Sequence, residues 1–344
     1  METVNFVIHI SSVTLNLLSC TVAIFINWKN YENDYDREYK KLVFAQFIFG
    51  LLSGIINAIN RCELIFYKNY LIFYYGYFSQ YSYDLLVYKI ILGLYLFITD
   101  IDIAFPSAVI LSRYFVCCNL RKLTLKNVIL ITLVPIALSV LCFVNGYVIN
   151  HKITPVDIVS NLLKDTSSGD FIINHQKTTT FMVFWSKEYV ICISIIISYF
   201  TLNYIIIFIF YYKYIKFMKL QAPVMSERTR KLQKEFSKII IFQSLAPIGL
   251  CSIPILAYVG FFCFHYQFLT PFYGTIIFQL LSLVPSVNAL LYIFMSSKNR
   301  EELFKLLKLL FMYDYFREIF TNNNICGVWI IFKNRFKNSI NSLY

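Results

Sequence analysis

Seven long apolar segments constrain the fold of this chain more than any other feature of its sequence. They lie at Asn5–Trp28, Leu42–Ile59, Ile90–Cys118, Val128–Val148, Tyr189–Tyr212, Ile239–Phe264 and Phe272–Phe294. Each has about the 17–25 residues that an α-helix needs to cross a bilayer, or a few more. Because lipid offers the backbone no hydrogen-bond partners, such segments must be helical. The pattern predicts an all-α fold, a bundle of seven transmembrane helices.

The composition indicates a membrane protein rather than a soluble domain. Charged residues make up 15% of the 344 residues and the mean hydropathy is +0.61, whereas soluble proteins contain about 25% charged residues. The net charge of +12 does not indicate a nucleic-acid partner, since the cations fall in the loops between apolar segments. We therefore expect a multi-pass protein of the plasma membrane, with the lipid bilayer as its surroundings.

The distribution of Lys and Arg predicts the orientation of the bundle. With the N-terminus outside, 24 of the 31 Lys and Arg residues fall on the cytoplasmic side and 7 on the outer side, and cytoplasmic loops are the ones enriched in these cations. We assign residues 1–312 to the seven-helix domain and 313–344 to a cytoplasmic tail. The domain would end in a basic amphipathic helix at about Asn299–Phe311, lying on the inner leaflet.

The stretch Met225–Pro254 joins a cationic stem to an apolar helix without a turn signal between them. Its cations are Arg228, Arg230, Lys231, Lys234 and Lys238. Pro247 and Pro254 follow in the apolar part, and each removes a backbone donor and kinks its helix. We expect a hinged membrane helix with a charged cytoplasmic end, which suits a protein that transmits a signal.

Arg113 and Tyr114 occur where the third segment meets the cytoplasm, in SRYFVCC. One interpretation is a positively charged anchor with an interfacial tyrosine. The other is an arginine held against the bundle until the sixth helix moves. Asp102 favours the second, because eleven helical residues place Asp102 and Arg113 on one face, about 16 Å apart. An acid at this depth usually faces the bundle interior, and Asp100 lies about 200° around the helix from it.

Other polar residues within the apolar segments can extend this constellation. Asn288 and Tyr292 share one face of the seventh helix at i,i+4. Asn16, Ser53 and Asn57 are the further candidates. These residues either form one switch network with Asp102 or make independent interhelical hydrogen bonds, and the sequence leaves both possibilities open.

The outer half of the bundle is where we expect a small, apolar or weakly polar molecule to bind. Depth and polarity suggest Tyr95, Phe97, Thr99, Ser198, Tyr258, Phe262, Tyr273 and Gln279 as contacts, with ordinary packing as the competing interpretation for each. The sequence contains no nucleophile–base–acid set, Gly-rich phosphate loop or metal-ligand spacing. We therefore expect no enzymatic activity, no cofactor and no metal.

Features outside the spans give three smaller expectations. Cys62 and Cys263 lie near predicted outer helix ends, so one disulfide is compatible with the sequence. Cys326 in the tail is a candidate for acylation. The apolar run Tyr70–Phe78 is too short to cross a membrane, and its tyrosines predict an aromatic belt at the lipid interface.

Two sets of motifs resemble known receptors. Seven spans, SRY after the third and NALLY in the seventh resemble the rhodopsin-like G-protein-coupled receptors, although Ser112 and Ala289 depart from that family's pattern. A closer likeness is to the nematode serpentine chemoreceptors of the Str-type superfamily, of class h, d or str. They share M-S-x-x-T-x-x-L-Q followed by Q-x-x-x-P-x6-P, which here is formed by Met225, Ser226, Thr229, Leu232, Gln233, Gln243, Pro247 and Pro254.

The resemblance implies a sensory receptor that signals through a heterotrimeric G protein. The G protein would dock on the basic inner face, and the residues expected to couple or switch are Arg113, Tyr114, Asn288, Tyr292, Arg228, Arg230, Lys231 and Lys234. A transporter or ligand-gated channel is the alternative, with Asp100 and Asp102 lining the path. A sensory channel of the insect odorant type is a further rival, but it requires the N-terminus inside.

Overall fold

The computed structural model describes residues 2–29, 37–67, 70–75, 85–118, 123–149, 152–153, 179–183, 185–254 and 272–308. The chain divides into two units, Met1–Ser296 and Ser297–Tyr344, and each is described by itself. The predicted boundary after residue 312 lies outside the described residues.

Helices dominate the first unit, because apolar segments in lipid must bond their own backbone. They are α1 Glu2–Lys29, α2 Arg37–Asn60, α3 Leu85–Cys118, α4 Leu125–Ile149, α5 Lys187–Gln221, α6 Glu227–Pro247, α7 Phe272–Ser282 and α8 Val284–Met295. The first five are each long and apolar enough to cross a membrane, and α7 with α8 adds a sixth span if a pair bent by 42° counts as one. The predicted helical membrane fold is confirmed, while the predicted sixth segment is described only as far as Pro254.

A four-stranded antiparallel sheet is an element that the all-α prediction missed. Its strands are β1 Cys62–Tyr67, β2 Tyr70–Tyr75, β3 Lys152–Ile153 and β4 Thr179–Val183, in the order β1-β2-β4-β3. Part of the run expected to lie as an aromatic belt at the lipid interface is therefore strand β2, where Leu71 and Phe73 are buried. The sheet pairs segments about a hundred residues apart, and local sequence patterns do not report such pairing.

The buried face of this sheet packs onto the helix bundle. Leu64, Phe73 and Met182 join one hydrophobic cluster with residues of α3, α5 and α7. Phe278 of α7 lies at the centre, edge-to-face with Phe73 at 6.4 Å and stacked on Tyr95 at 5.2 Å between ring centroids. We call this region the sheet end, and the opposite end, which carries Arg113 and the α5–α6 turn, the basic end.

Two glycines let α3 and α4 approach unusually closely. A Cβ added to Gly146 would lie 2.5 Å from the Cα of Gly93, a separation that no side chain tolerates against backbone. Small residues allow membrane helices to pack backbone against backbone. The contact holds α4 firmly against α3 near the sheet end.

Three tyrosine hydroxyls join α5 to α6 in an antiparallel hairpin. The bonds connect Tyr204 to the Ser244 carbonyl at 3.3 Å, Tyr211 to the Ser237 hydroxyl at 3.0 Å, and Tyr214 to the Gln233 side chain. Successive bonding residues are seven and then three residues apart on α5, and seven and then four residues apart on α6. This spacing keeps all three bonds on one face of each helix. We call these contacts the tyrosine ladder.

The backbone is irregular where the sequence predicts a hinge. α6 ends at Pro247 and continues as a π-helical turn, Ile248–Ser252, in which the N–H of Ile253 donates to the carbonyl of Ile248. A Cβ on Gly249 would meet nothing within 4 Å. Prolines and π turns are the usual causes of helix kinks, so the two features coincide with the predicted hinge between Pro247 and Pro254.

The second unit contains a helix over residues 297–308, which we number α9. Lys305 Nζ lies 2.9 Å from Glu302 and 3.1 Å from Glu301, and the hydrogen bond with Glu302 is the main reason that the pKa of Lys305 is raised. This helix overlaps the amphipathic helix expected at 299–311. Its position on the inner leaflet stays a prediction, and Cys326 lies outside the described residues.

Candidate functional site

A hydrogen bond between α3 and α8 forms the centre of a buried polar network. Asn288 Nδ2 donates to Asp102 Oδ2 at 3.1 Å, and both side chains are almost completely buried. Gln243 of α6 donates from Nε2 to the carbonyl of Asn288 at 3.1 Å. Hydrogen bonds are stronger in the low-dielectric interior than in water. Three helices, α3, α6 and α8, are therefore tied together through Asn288.

Gly50 of α2 provides the space for this contact. A Cβ at Gly50 would lie 2.9 Å from Cys20 Sγ, 3.1 Å from Pro285 Cβ and 3.6 Å from Asp102 Oδ1. Helices α1, α2, α3 and α8 therefore converge at this point. Sequence reasoning missed Gly50, although a glycine inside an apolar helix indicates a close approach.

Of the other residues predicted for this constellation, Asn16 and Ser53 bond residues other than Asp102. Asn16 donates to the Ser282 carbonyl at 3.4 Å and accepts from the Cys20 thiol at 3.2 Å. Ser53 bonds Thr99 of α3 at 3.1 Å. Asn57 does not join, because within the described part of the chain its Oδ1 has no hydrogen-bond partner.

Tyr292 connects α8 to the helices nearest the basic end. Its hydroxyl donates to Asn27 Oδ1 at 3.1 Å, and its ring lies 5.0 Å from that of Phe47. Asn27 in turn donates to the Lys40 carbonyl at 3.0 Å. Asn288 and Tyr292 thus both point into the bundle, as their i,i+4 spacing predicts.

Arg113 lies between two aromatic rings at the basic end. Its guanidinium carbon is 3.7 Å from the centroid of Tyr39 in α2 and 4.3 Å from that of Phe236 in α6. The two rings also touch edge-to-face at 5.8 Å. A cation over an aromatic ring is stabilised by roughly 0.5–2 kcal/mol. We call Tyr39, Arg113 and Phe236 the arginine clamp, and it joins α2, α3 and α6.

Neither ring of the clamp was identified from the sequence. Both lie in short charged stretches beside apolar segments, and an aromatic residue at a span end is normally an interfacial anchor. Only their approach to Arg113 distinguishes them from such anchors.

The other residues expected at the basic end lie apart from the clamp. Tyr114 packs on α5, with its ring 5.3 Å from Phe210 and 5.9 Å from Lys213 Nζ. The exposed cations of α6 include Arg230, Lys231 and Lys234. The side chain of Arg228 lies outside the described residues.

Asp100 faces away from Asp102, toward α4 and α5. The Cys142 thiol hydrogen-bonds its carboxyl group, and the Tyr199 hydroxyl donates to its backbone carbonyl at 2.6 Å. The angle of about 200° expected between the two acids agrees with their separate neighbours.

Four of the predicted ligand contacts, Tyr95, Phe97, Thr99 and Gln279, pack against or hydrogen-bond other helices of the bundle. Tyr95 stacks on Phe278, Thr99 bonds Ser53, and Phe97 packs against α4. Gln279 accepts from Ser12 at 2.7 Å and lies 3.3 Å from His9 Nδ1. Tyr95, Thr99 and Gln279 are buried in the interior, whereas Phe97 contacts Phe143 at the α3–α4 interface.

Ser198 differs from the prediction of a position inside the bundle. Its side chain is exposed on the face of α5 that points away from the other helices. Its neighbour Tyr199 occupies the buried face, and one residue turns a helix by about 100°. α5 is apolar on all sides, so the sequence does not indicate which face meets lipid. Tyr258, Phe262, Cys263 and the side chain of Tyr273 lie outside the described residues.

The described ranges contain no group of three His, Cys, Asp or Glu side chains that could hold a metal ion. What they do contain is a helix-linking polar network and an arginine between two rings. Each of these contacts joins different helices, so a movement of α6 would break contacts in both groups.

One family model matches nearly the whole chain. Its description is serpentine type 7TM GPCR chemoreceptor Str, and it covers residues 5–304. Among curated proteins, no match was found.

Proposed function

Since this chain belongs to the Str family of serpentine seven-transmembrane chemoreceptors, we propose that it detects a small molecule and activates a heterotrimeric G protein. The N-terminus and the sheet end would face outward, and the basic end would face the cytoplasm. Membrane embedding agrees with five or six described helices that can span a bilayer.

The arginine clamp is the observation that carries the coupling part of this proposal. Arg113 is held by rings on α2 and α6, so movement of α6 removes one of these two ring contacts. A guanidinium freed at the cytoplasmic face can donate up to five hydrogen bonds to an approaching α subunit. The exposed cations Arg230, Lys231 and Lys234 would add an attractive field for an acidic partner surface.

In this proposal, the buried network would relay ligand binding to the clamp. Gln243 of α6 bonds Asn288, which bonds Asp102 of α3, and the irregular turn beyond Pro247 lies toward the sheet end of the same helix. A ligand that binds the open arrangement better shifts a pre-existing equilibrium toward it. α6 would then bend at this turn and carry Phe236 away from Arg113.

Replacing Arg113 tests the coupling role. Arg113→Ala should abolish signalling evoked by an agonist found by screening against a calcium or cAMP readout, while surface expression stays normal. The matched control is Lys187→Ala, which removes an exposed cation at the start of α5, near the sheet end. Equal agonist responses in wild type and Arg113→Ala would reject the role.

A transporter or channel with both acids on one path finds less support. Asp102 bonds α8 whereas Asp100 bonds α4, so the two carboxyl groups lie on different sides of α3. Uptake or current by purified protein in liposomes, without any G protein, would favour that alternative. An epitope on Met1 stained in unpermeabilised cells would separate the receptor from a channel with its N-terminus inside.

A further inference from the structure

Asn57 and Asn60 of α2 are buried amides whose hydrogen-bonding capacity is largely unused. Their side chains are 2% and 1% exposed. Throughout the described ranges, Asn57 Oδ1 and both amide atoms of Asn60 have no hydrogen-bond partner. Burying a polar group without a partner is unfavourable, and nearly all such groups in native proteins are bonded. Three unsatisfied atoms within one helical turn therefore require an explanation.

The two amides continue a polar stripe on the interior face of α2. Steps of three and four residues place Gly50, Ser53, Asn57 and Asn60 on one face of the helix. Gly50 approaches the carboxyl group of Asp102, and Ser53 bonds Thr99. The amides thus belong to the face that meets α3 and lie nearer the sheet end than the switch network.

The amides lie at the end of α2 that leads into the sheet. α2 ends at Asn60, Arg61 follows in the left-handed region with φ 29°, and strand β1 begins at Cys62. The buried sheet face packs on the stacked rings of Tyr95 and Phe278. The amide pair therefore lies in the half of the bundle that the sheet covers.

We propose that Asn57 and Asn60 form the polar recognition site for the receptor's ligand, and that this ligand is a neutral molecule bearing a vicinal diol or a primary amide. The inference rests on the proposed receptor function. Two amide oxygens require donors and the Asn60 amino group requires an acceptor. A vicinal diol and a primary amide each supply two donors and at least one acceptor. A cationic ligand would carry a desolvation cost that neutral amides do not offset, and the buried cation Arg61, which follows Asn60, would repel it.

The matched control is Gln46, which lies on the same face of α2. Its side chain is 1% exposed, and within the described ranges its Nε2 also lacks a partner. It lies almost four turns from Asn60, toward the basic end. Leucine replaces the two amide atoms of asparagine with two methyl groups and keeps the branching at Cγ. Gln46→Leu reports the effect of removing a buried amide without touching the proposed site.

The experiment measures thermal unfolding of the purified full-length receptor with a panel of straight-chain vicinal diols and primary amides. The dimethyl ethers and N,N-dimethyl amides of the same chains serve as probes that lack donors. We expect a diol or amide to raise the Tm of wild type and Gln46→Leu, and the donor-free probes to have no effect. Asn57→Leu and Asn60→Leu should each weaken the apparent affinity about tenfold, the loss expected for one buried hydrogen bond.

Several results would overturn the inference. If the Asn57→Leu and Asn60→Leu receptors bound the probe with the same affinity as wild type, the amides would bind water or nothing. Stabilisation only by charged or donor-free compounds, or by no probe, would also reject it. Unliganded Tm values at or above wild type for the two variants exclude misfolding as the cause of lost binding.

The failure of this inference can be distinguished from failure of the receptor proposal. Thermal unfolding requires no G protein, and Arg113→Ala lies at the opposite end of the bundle. If Arg113→Ala binds the probe normally and also signals normally, the coupling role fails while the amide site stands. If wild type signals to an agonist whose affinity is unchanged in Asn57→Leu and Asn60→Leu, the receptor stands and the amide site fails.

Discussion

The two sides of α3 differ, although each carries a buried aspartate at the same depth. Asp102 faces α8, where Asn288 also bonds α6, and α6 leads into a π turn. Asp100 faces α4 and α5, and α4 is held against α3 by direct backbone contact. We call the first side the switch side and the second the anchor side.

The role of a buried acid therefore depends on how freely its partner helix can move. A hydrogen bond to a tightly packed helix adds to stability, whereas one to a helix with two possible arrangements also sets the balance between them. Interfaces of this kind are bistable because packed cores do not deform continuously. We therefore expect substitutions on the switch side to alter signalling and those on the anchor side to alter stability.

The largest effect should come from the close contact that defines the anchor side. Gly146→Val places side-chain carbon within 2.5–2.7 Å of Gly93 backbone atoms, and overpacking of this kind costs about 1–3 kcal/mol or more. Surface expression and Tm should both fall sharply. Gly249→Ala, which enters open space, is the control and should leave both unchanged. A well-expressed Gly146→Val receptor would show that α4 is not fixed.

The next largest effect should come from replacing each of the two buried aspartates by leucine. Asp102→Leu leaves the buried Asn288 amide without its acceptor, which costs about 1–3 kcal/mol in the arrangement described here. Because 1.4 kcal/mol is tenfold, basal signalling should rise about tenfold. Asp100→Leu should lower Tm and leave basal signalling per surface receptor unchanged. The same signalling change in both variants would remove the distinction between the two sides.

Opening the arginine clamp should have a smaller effect. Phe236→Ala removes one ring from Arg113 and so about 1 kcal/mol of cation–π attraction. Basal signalling should rise about fivefold, given the same conversion of energy to population. Phe242→Ala removes an exposed ring from the same helix and serves as the control. Unchanged basal activity in Phe236→Ala would mean that the clamp does not restrain α6.

The smallest effect is expected where two helices move together. The tyrosine ladder joins α5 to α6 at three levels, so we expect the hairpin below the hinge to move as one body. Tyr211→Phe keeps the ring and removes the hydroxyl that lies 3.0 Å from that of Ser237, so it should change agonist responses less than about twofold. Ser237→Ala removes the same hydrogen bond from the other helix and should behave alike. A change of about tenfold or more in both variants would show that α6 separates from α5 on activation.

Much of this architecture follows from local sequence properties. Apolar length dictates the helices, because a backbone in lipid has no other way to satisfy its hydrogen bonds. The angle between Asp100 and Asp102, the shared face of Asn288 and Tyr292 and the irregular backbone near Pro247 follow from helical periodicity and proline chemistry. These are properties of residues within one helix, and sequence reports them directly.

Contacts between distant segments were beyond such reasoning. The sheet pairs β2 with β4, and the clamp unites Tyr39, Arg113 and Phe236. Ser198 faces away from the bundle interior. In each case the outcome depends on which helix faces meet, and a helix that is apolar all round carries no local mark of its buried side. Residue type along the chain therefore settles where the helices form. Packing settles the sheet pairing and which polar groups find partners, and the side chain of Asn60 is one that, among the described residues, has none.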